Sequence, residues 1–123
     1  AVGCDVAQIA KSIVFRAGGK SGARAAVIVT SGANRVDPAK AAAILGVVLA
    51  RADADWVRET TGFAVGGVAP VGHANPPLLL LDEDLLPLDP IWAAAGSPRH
   101  VFRTTAAELR RITGAAVAAV RAD

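Results

Sequence analysis

No helix in this chain has room to run far. Asp37 followed by Pro38 opens a helical segment that Gly46 stops, Asp53 opens one that Gly62 stops, and Thr105 with Glu108 opens a last one that Gly114 stops. Side-chain oxygens of Asp and Thr satisfy the free N–H groups of a first turn, and proline fits where an N–H would be unpaired anyway. Glycine takes the left-handed conformation in which helices end. Asp5 with Gln8 has the spacing of a capping box and predicts a short helix over residues 6–10. In the helix that Pro38 opens, Ala41, Ile44 and Leu45 share one face.

Between these signals lie apolar or β-branched runs of strand length: Ser12 to Phe15, Ala25 to Thr30, Val47 to Ala50, Leu78 to Leu81, Ile91 to Ala95, His100 to Thr104 and Ala116 to Val120. The first two, separated by a turn over residues 17–23, are close enough to form an antiparallel hairpin. About seven short strands and three or four helices that do not alternate regularly predict the α+β class, a single domain on a curved mixed sheet. A chain of 123 residues is long enough to bury a core and too short for two domains.

Composition excludes several function classes. Hydrophobic residues make up 53%, which argues against disorder. No apolar run approaches the ~20 residues of a membrane helix; Leu78 to Leu81 is flanked by prolines and the acids Asp82, Glu83 and Asp84. Nothing resembles a secretory leader, and the single cysteine, Cys4, cannot make an internal disulfide, so a soluble cytoplasmic protein with a reduced thiol is expected. Arginine supplies ten of thirteen cationic residues, yet the net charge of +2 is too small for a strong non-specific DNA binder. Arg99, Arg103, Arg110 and Arg111 read first as a solvated face. His73 and His100 lack the spacing of a metal site, so no metal or cofactor is expected. Gly-x-Ser-x-Gly is absent, and Gly18-Gly19-Lys20-Ser21 lacks the leading glycine of a phosphate loop, leaving it a hairpin turn. The acidic run Asp82-Glu83-Asp84 reads as a solvated turn.

The segment Gly66-Gly67-Val68-Ala69-Pro70-Val71-Gly72-His73 is a poor helix or strand and reads as a shaped loop. Glycine lets main-chain N–H groups approach a ligand, proline fixes the exit direction, and histidine adds a side chain that titrates near neutrality. Taken alone, it is also compatible with a tight turn beside a β-bulge. Lys11, at the start of the run Ser12 to Phe15, reads by itself as a solvated charge at a strand end.

Together these landmarks resemble the YbaK family of free-standing aminoacyl-tRNA deacylases, which is similar to the editing domain inserted in bacterial prolyl-tRNA synthetases. The resemblance rests on Lys11 before the first strand, Thr30 closing the second, the Gly-x-x-x-Pro loop Gly66 to Pro70 after Thr61-Gly62-Phe63, and Gly96 after Ile91 to Ala95. They follow family order from residue 8 to about residue 120. The resemblance implies a barrel-like mixed sheet with helices packed outside. It also implies that the family's helix and strand ahead of Ala1 are missing, so that residues 1–123 read as an editing domain short at its start.

The implied activity is hydrolysis of the ester of mischarged aminoacyl-tRNA, with small wrong residues on proline tRNA as substrates and a synthetase as a further partner. Lys11 and the loop Gly66, Gly67, Val68, Ala69 and Pro70 are the implied catalytic residues. Thr30, Gly72, His73, Asp82 and Gly96 are the implied substrate-binding ones. Since the inserted editing domains carry histidine where His73 stands and some free-standing relatives carry glutamine, the resemblance implies that His73 is not an obligatory base. A non-catalytic tRNA, nucleotide or synthetase-docking module is the alternative, and a hydrolase of another activated ester is a third reading.

Overall fold

The expected hairpin is the spine of the fold. In a computed structural model, which describes residues 6–18, 24–63, 68–69, 77–97 and 100–122, β1 (Ile9–Ala17) pairs antiparallel with β2 (Arg24–Ser31), in register from Ala10 opposite Ser31 to Ala17 opposite Arg24. The first strand starts earlier than its β-branched run suggests, and the helix expected over 6–10 is only a 3-10 turn, Val6–Gln8. Tertiary ties explain the difference. Ser31 Oγ donates to the Ala7 carbonyl at 2.7 Å, Gln8 Nε2 to the Pro90 carbonyl at 3.1 Å, and the Gly32 N–H to the Ile9 carbonyl at 2.6 Å. These bonds draw residues 9–11 into the sheet, so Lys11 lies inside β1 rather than ahead of it.

Five further strands complete a seven-stranded sheet: β3 (Leu49–Arg51), β4 (Leu78–Asp82), β5 (Ile91–Ser97), β6 (His100–Thr104) and β7 (Ala116–Ala118). Their order is β6-β5-β1-β2-β4-β7, with β3 also on β1. The sheet is mixed, as expected: β5 on β1, β4 on β2 and β7 on β4 are parallel, and the other pairs antiparallel. It is open, with β6 and β7 as its two ends, so the barrel-like curvature does not close a ring. The third strand begins at Leu49 rather than Val47 because the N–H groups of Gly46 and Val47 both bond to the Ala42 carbonyl, holding Val47 in the helix's closing turn.

Helices α1 (Pro38–Leu45), α2 (Ala54–Thr61) and α3 (Ala106–Thr113) have the expected caps, Asp37, Asp53 and Thr105, and end at Gly46, Gly62 and Gly114 with φ of 70°, 85° and 69°. On one face of the sheet, Val27, Val29, Leu81, Ile91 and Ala93 pack with Ala106 and Leu109 of α3. On the other, Ile28, Leu80, Ala118 and Val120 pack with Ala41 of α1. Leu45 joins that second cluster, but Ile44, assigned to the same helical face by its spacing, is 48% exposed. Among the described residues no helix is long and apolar enough to cross a membrane.

Candidate functional site

The sheet has a notch beside β1. β5 pairs with it at Ile9 and Ala10, and β3 at Phe15 to Ala17, leaving the edge of residues 11–14 that faces away from β2 without a strand. Antiparallel pairing fixes which main-chain groups lie on that edge. Because the Gly32 N–H bonds to the Ile9 carbonyl, odd-numbered residues of β1 direct their N–H and C=O groups toward β2, and even-numbered residues direct theirs away. Gly18 keeps this alternation, its N–H reaching the Val48 carbonyl at 3.1 Å on the β3 side. The main-chain groups of Ser12 therefore face the notch, and Val14, beside the Phe15–Arg51 pair, marks where the pairing with β3 begins.

A cavity of about 490 Å³ opens there, lined from β1 by residues 9–14, from β5 by Trp92 and Ala94, from β6 by His100 and Val101, and by Ala52, Val57 and Val68. Its wall is largely apolar, and Lys11 is the one Lys, Arg, Asp or Glu among the described lining residues. Lys11 is half-buried and has no ion-pair partner among the described residues. An ammonium held against apolar surface without a counter-charge favours an anionic or strongly dipolar ligand. The Arg16 guanidinium lies 5.5 Å from the centre of the Trp56 ring, tying β1 to α2, which carries Val57 into the cavity wall.

Of the residues singled out from the sequence, the structure brings Lys11 and Val68 to this cavity. Ala69, beside Val68, is buried. Gly96 lies in β5, two positions beyond the lining residue Ala94. Gly66, Gly67, Pro70, Gly72 and His73 lie outside the described residues. Thr30 and Asp82 meet each other, not the cavity lining: the Thr30 hydroxyl donates to Asp82 Oδ2, to which Asn34 Nδ2 also donates at 3.0 Å. The Asp84 N–H donates to Asp82 Oδ1 at 3.0 Å, so Asp82 caps the 3-10 turn Glu83–Leu85.

The acidic run is therefore not a solvated turn throughout. Asp82 is fully buried and its carboxylate is surrounded by donors, while Asp84 takes a bond from Asn34 at 2.9 Å and an ion pair with Arg121 at 3.3 Å. Sequence reasoning missed Trp92, His100, Val101 and Val57 as cavity residues. The runs that carry them were legible as strands and a helix, but nothing local says that three elements converge on a gap in the sheet. Among the described residues there is no group of three or more His, Cys, Asp or Glu side chains suited to a metal ion.

An open mixed sheet with outer helices and a lysine-bearing cavity at a break in its strand pairing defines a single-domain α+β protein with a cleft at that break. Residues 1–112 match the aminoacyl-tRNA editing domain family, and the chain belongs to that family. A candidate trans-editing enzyme for prolyl-tRNA synthetase, known from its crystal structure, superposes with a TM-score of 0.89 at 48% identity, over 99% of this chain and 75% of that one. A chain solved in work on grafting epitope backbones onto scaffold proteins superposes with a TM-score of 0.90 at 47% identity, over 100% of this chain and 76% of that one. The uncharacterized protein YwhH of Bacillus subtilis (strain 168) is 32% identical over 108 residues, 88% of this chain and 67% of that protein. The YbaK-like character read from the sequence is thus shown, in fold and in family.

Proposed function

We propose that this domain hydrolyses the ester bond of mischarged aminoacyl-tRNA, removing small wrong amino acids from tRNA, with proline tRNA the first candidate. The observation that carries the reading is Lys11: a cation with no ion-pair partner among the described residues, in the largely apolar cavity of an editing-domain protein. The ester joining an amino acid to the terminal ribose is already activated, so its hydrolysis needs a placed water and stabilisation of the oxyanion more than a strong nucleophile. Lys11 holds the terminal adenosine or its phosphate and adds positive potential. Main-chain N–H groups of Gly66 to Ala69 receive the carbonyl oxygen as charge develops on it. The neighbouring ribose hydroxyl activates the water, a route that dispenses with a side-chain base. Thr30 and Asp82 support this site from behind by fixing β2 and β4, rather than by touching substrate.

Such a second site answers a physical limit. A synthetase pocket shaped for one amino acid rejects a smaller one by only ~1–3 kcal/mol per missing methylene, so the wrong product has to be destroyed afterwards. The test is release of labelled amino acid from alanyl-, cysteinyl- and seryl-tRNA(Pro) by the protein and its Lys11→Ala variant. Lysine-dependent release from one of them supports the reading. Full turnover by a folded Lys11→Ala protein overturns the role of the lysine, and binding of tRNA without release points to a docking module.

A further inference from the structure

Trp92 is the largest of the described side chains that line the cavity, and the proposed chemistry leaves it unused. Its direction follows from register. Ile91 and Ala93 are buried in the core that α3 covers, so Trp92, between them, points to the opposite face of the sheet. There it stands in a row across three strands, with Ile9 of β1 on one side and Arg103 of β6 on the other. Ala94 and Val101 form the next pair on that face, and Lys11 is the next residue of β1 to point the same way. The core that α1 covers on this face is built on β2, β4 and β7, and the β5–β6 end stays in contact with water. Ile9 is 38% and Val101 43% exposed, Arg103 is exposed and Trp92 is half-buried.

The charge on this end of the face is of one sign. None of β1, β5 and β6 contains an Asp or Glu, and among the described residues no ion pair or hydrogen bond engages the Arg103 guanidinium or the Trp92 indole N–H. An indole left half in water gives up part of the burial that makes tryptophan useful for packing. It suits a nucleobase instead, whose flat face stacks on the ring while a phosphate meets the guanidinium beside it. Sheet faces that present aromatic side chains are a recurrent platform for single-stranded RNA.

We infer that Trp92 and Arg103 form a platform for the single-stranded 3′ tail of the tRNA: the base before the terminal nucleotide stacks on the Trp92 indole, and Arg103 holds its phosphate. The inference rests on the deacylase reading, in which Lys11 holds the terminal adenosine or its phosphate, and deepens it by naming where the adjoining nucleotide lies. One strand and two residues separate Lys11 from Trp92, about 8 Å by the spacings of a sheet, a step that neighbouring nucleotides of one strand can span. Stacking reads no base edge, so this platform holds the tail without choosing among tRNAs.

The experiment measures binding of an uncharged RNA hairpin with a single-stranded CCA tail, and of the same hairpin with the penultimate base removed to leave an abasic ribose. The proteins are the wild type and its Trp92→Ala, Trp92→Phe and Arg103→Ala variants, each with a melting curve. Loss of the base weakens wild-type binding about ten-fold and Trp92→Ala binding hardly at all, because the stacking partner is already gone. Trp92→Phe keeps most of the ten-fold effect. Arg103→Ala, a change on the exposed side of β6, makes the log–log dependence of affinity on salt shallower by about 0.7, the loss of one phosphate contact to a single strand. That slope decides the matter if Trp92→Ala does not fold.

A wild type indifferent to the missing base overturns the inference, as does a folded Trp92→Ala protein that still loses ten-fold with it, or an unchanged salt slope in Arg103→Ala. A Trp92→Ala protein that binds RNA as the wild type does but no longer sediments as a dimer would make the face a contact between copies, and also overturns it. The hairpin carries no amino acid, so this result is separate from that of ester release. Binding that depends on the base and on Trp92, with no amino acid released, upholds the platform while the deacylase reading falls; release without such binding does the reverse.

Discussion

Lys11 and Thr30 face each other directly across the β1–β2 ladder, yet they serve opposite sides of the same problem. Lys11 projects from the strand that borders the cavity and has no counter-ion among the described residues. Thr30, one strand further in, is fully buried and spends its hydroxyl on Asp82. A charge without a counter-ion among the described residues, kept at the cavity, is thus backed by a satisfied polar network that anchors the strand behind it.

Breaking that network lowers stability. Asp82→Ala leaves the Thr30 hydroxyl and one donor of Asn34 without their acceptor inside the protein, an expected loss of about 3 kcal/mol by urea unfolding. Thr30→Val removes a single bond to the carboxylate and costs less, about 1.5–3 kcal/mol. Deacylation per folded molecule stays near wild type in both. A variant with normal stability and lost turnover would instead place Thr30 or Asp82 on the substrate.

Gly32 fixes the start of β1 by close approach. A Cβ there would lie 2.6 Å from the Val6 carbonyl oxygen and 3.3 Å from Cβ of Ile9, so backbone has to move. Gly32→Ala is expected to cost about 1–3 kcal/mol. Because Ile9 also lines the cavity, the displaced strand start reshapes the site, and ligand binding falls together with the melting temperature.

Replacing the Asp37 cap by alanine is a milder, purely local change. Its Oδ1 accepts from the N–H of Ala39 at 2.9 Å and of Lys40 at 3.4 Å. Loss of about 1 kcal/mol is expected, read as a lower urea midpoint with an unchanged slope. A changed slope would mean that α1 comes away from the sheet.

The exposed pair Glu108–Arg111 gives a pH signature. The hydrogen bond from Arg111 is the main reason that the Glu108 carboxyl lies below its ordinary value; desolvation opposes it, and Coulombic attraction to Arg111 adds the smallest contribution. A carboxyl depressed on folding contributes stability that is complete above its unfolded value and lost as pH falls through the folded one. The midpoint difference between wild type and Glu108→Gln is therefore present near neutrality and disappears in acid. It is small and shrinks with added salt, because both side chains are in water. A difference that grows toward acid pH would contradict this.

The local features were legible in the sequence because local chemistry makes them. Asp37 before Pro38, Asp53 and Thr105 announce their helices, and Gly46, Gly62 and Gly114 end them where expected. The β1–β2 hairpin follows from two β-branched runs and a short gap. Most of what escaped depends on residues far apart in the chain; one exception is a choice between two local partners. Glu108 has the spacing to complete a capping box with Thr105, but its carboxylate turns to Arg111 instead. Asp82 reads as one of three surface acids until β4 is laid beside β2 and brings it to Thr30. The notch at residues 11–14 cannot be inferred from β1 at all, since it is defined by where β3 and β5 stop.

The parallel join of β1 to β5 links Ile9 to Trp92, about eighty residues later in the chain. During synthesis the β1–β2 hairpin leaves the ribosome long before the strand that completes its cavity, and such late, non-local pairing is intrinsically slow. Partial chains therefore carry Lys11 and Ser12 on an unfinished edge, with no enclosed cleft around them. The cleft is complete only once β5 and β6 have been made, so binding by the nascent protein is itself a report that these two strands have joined the sheet.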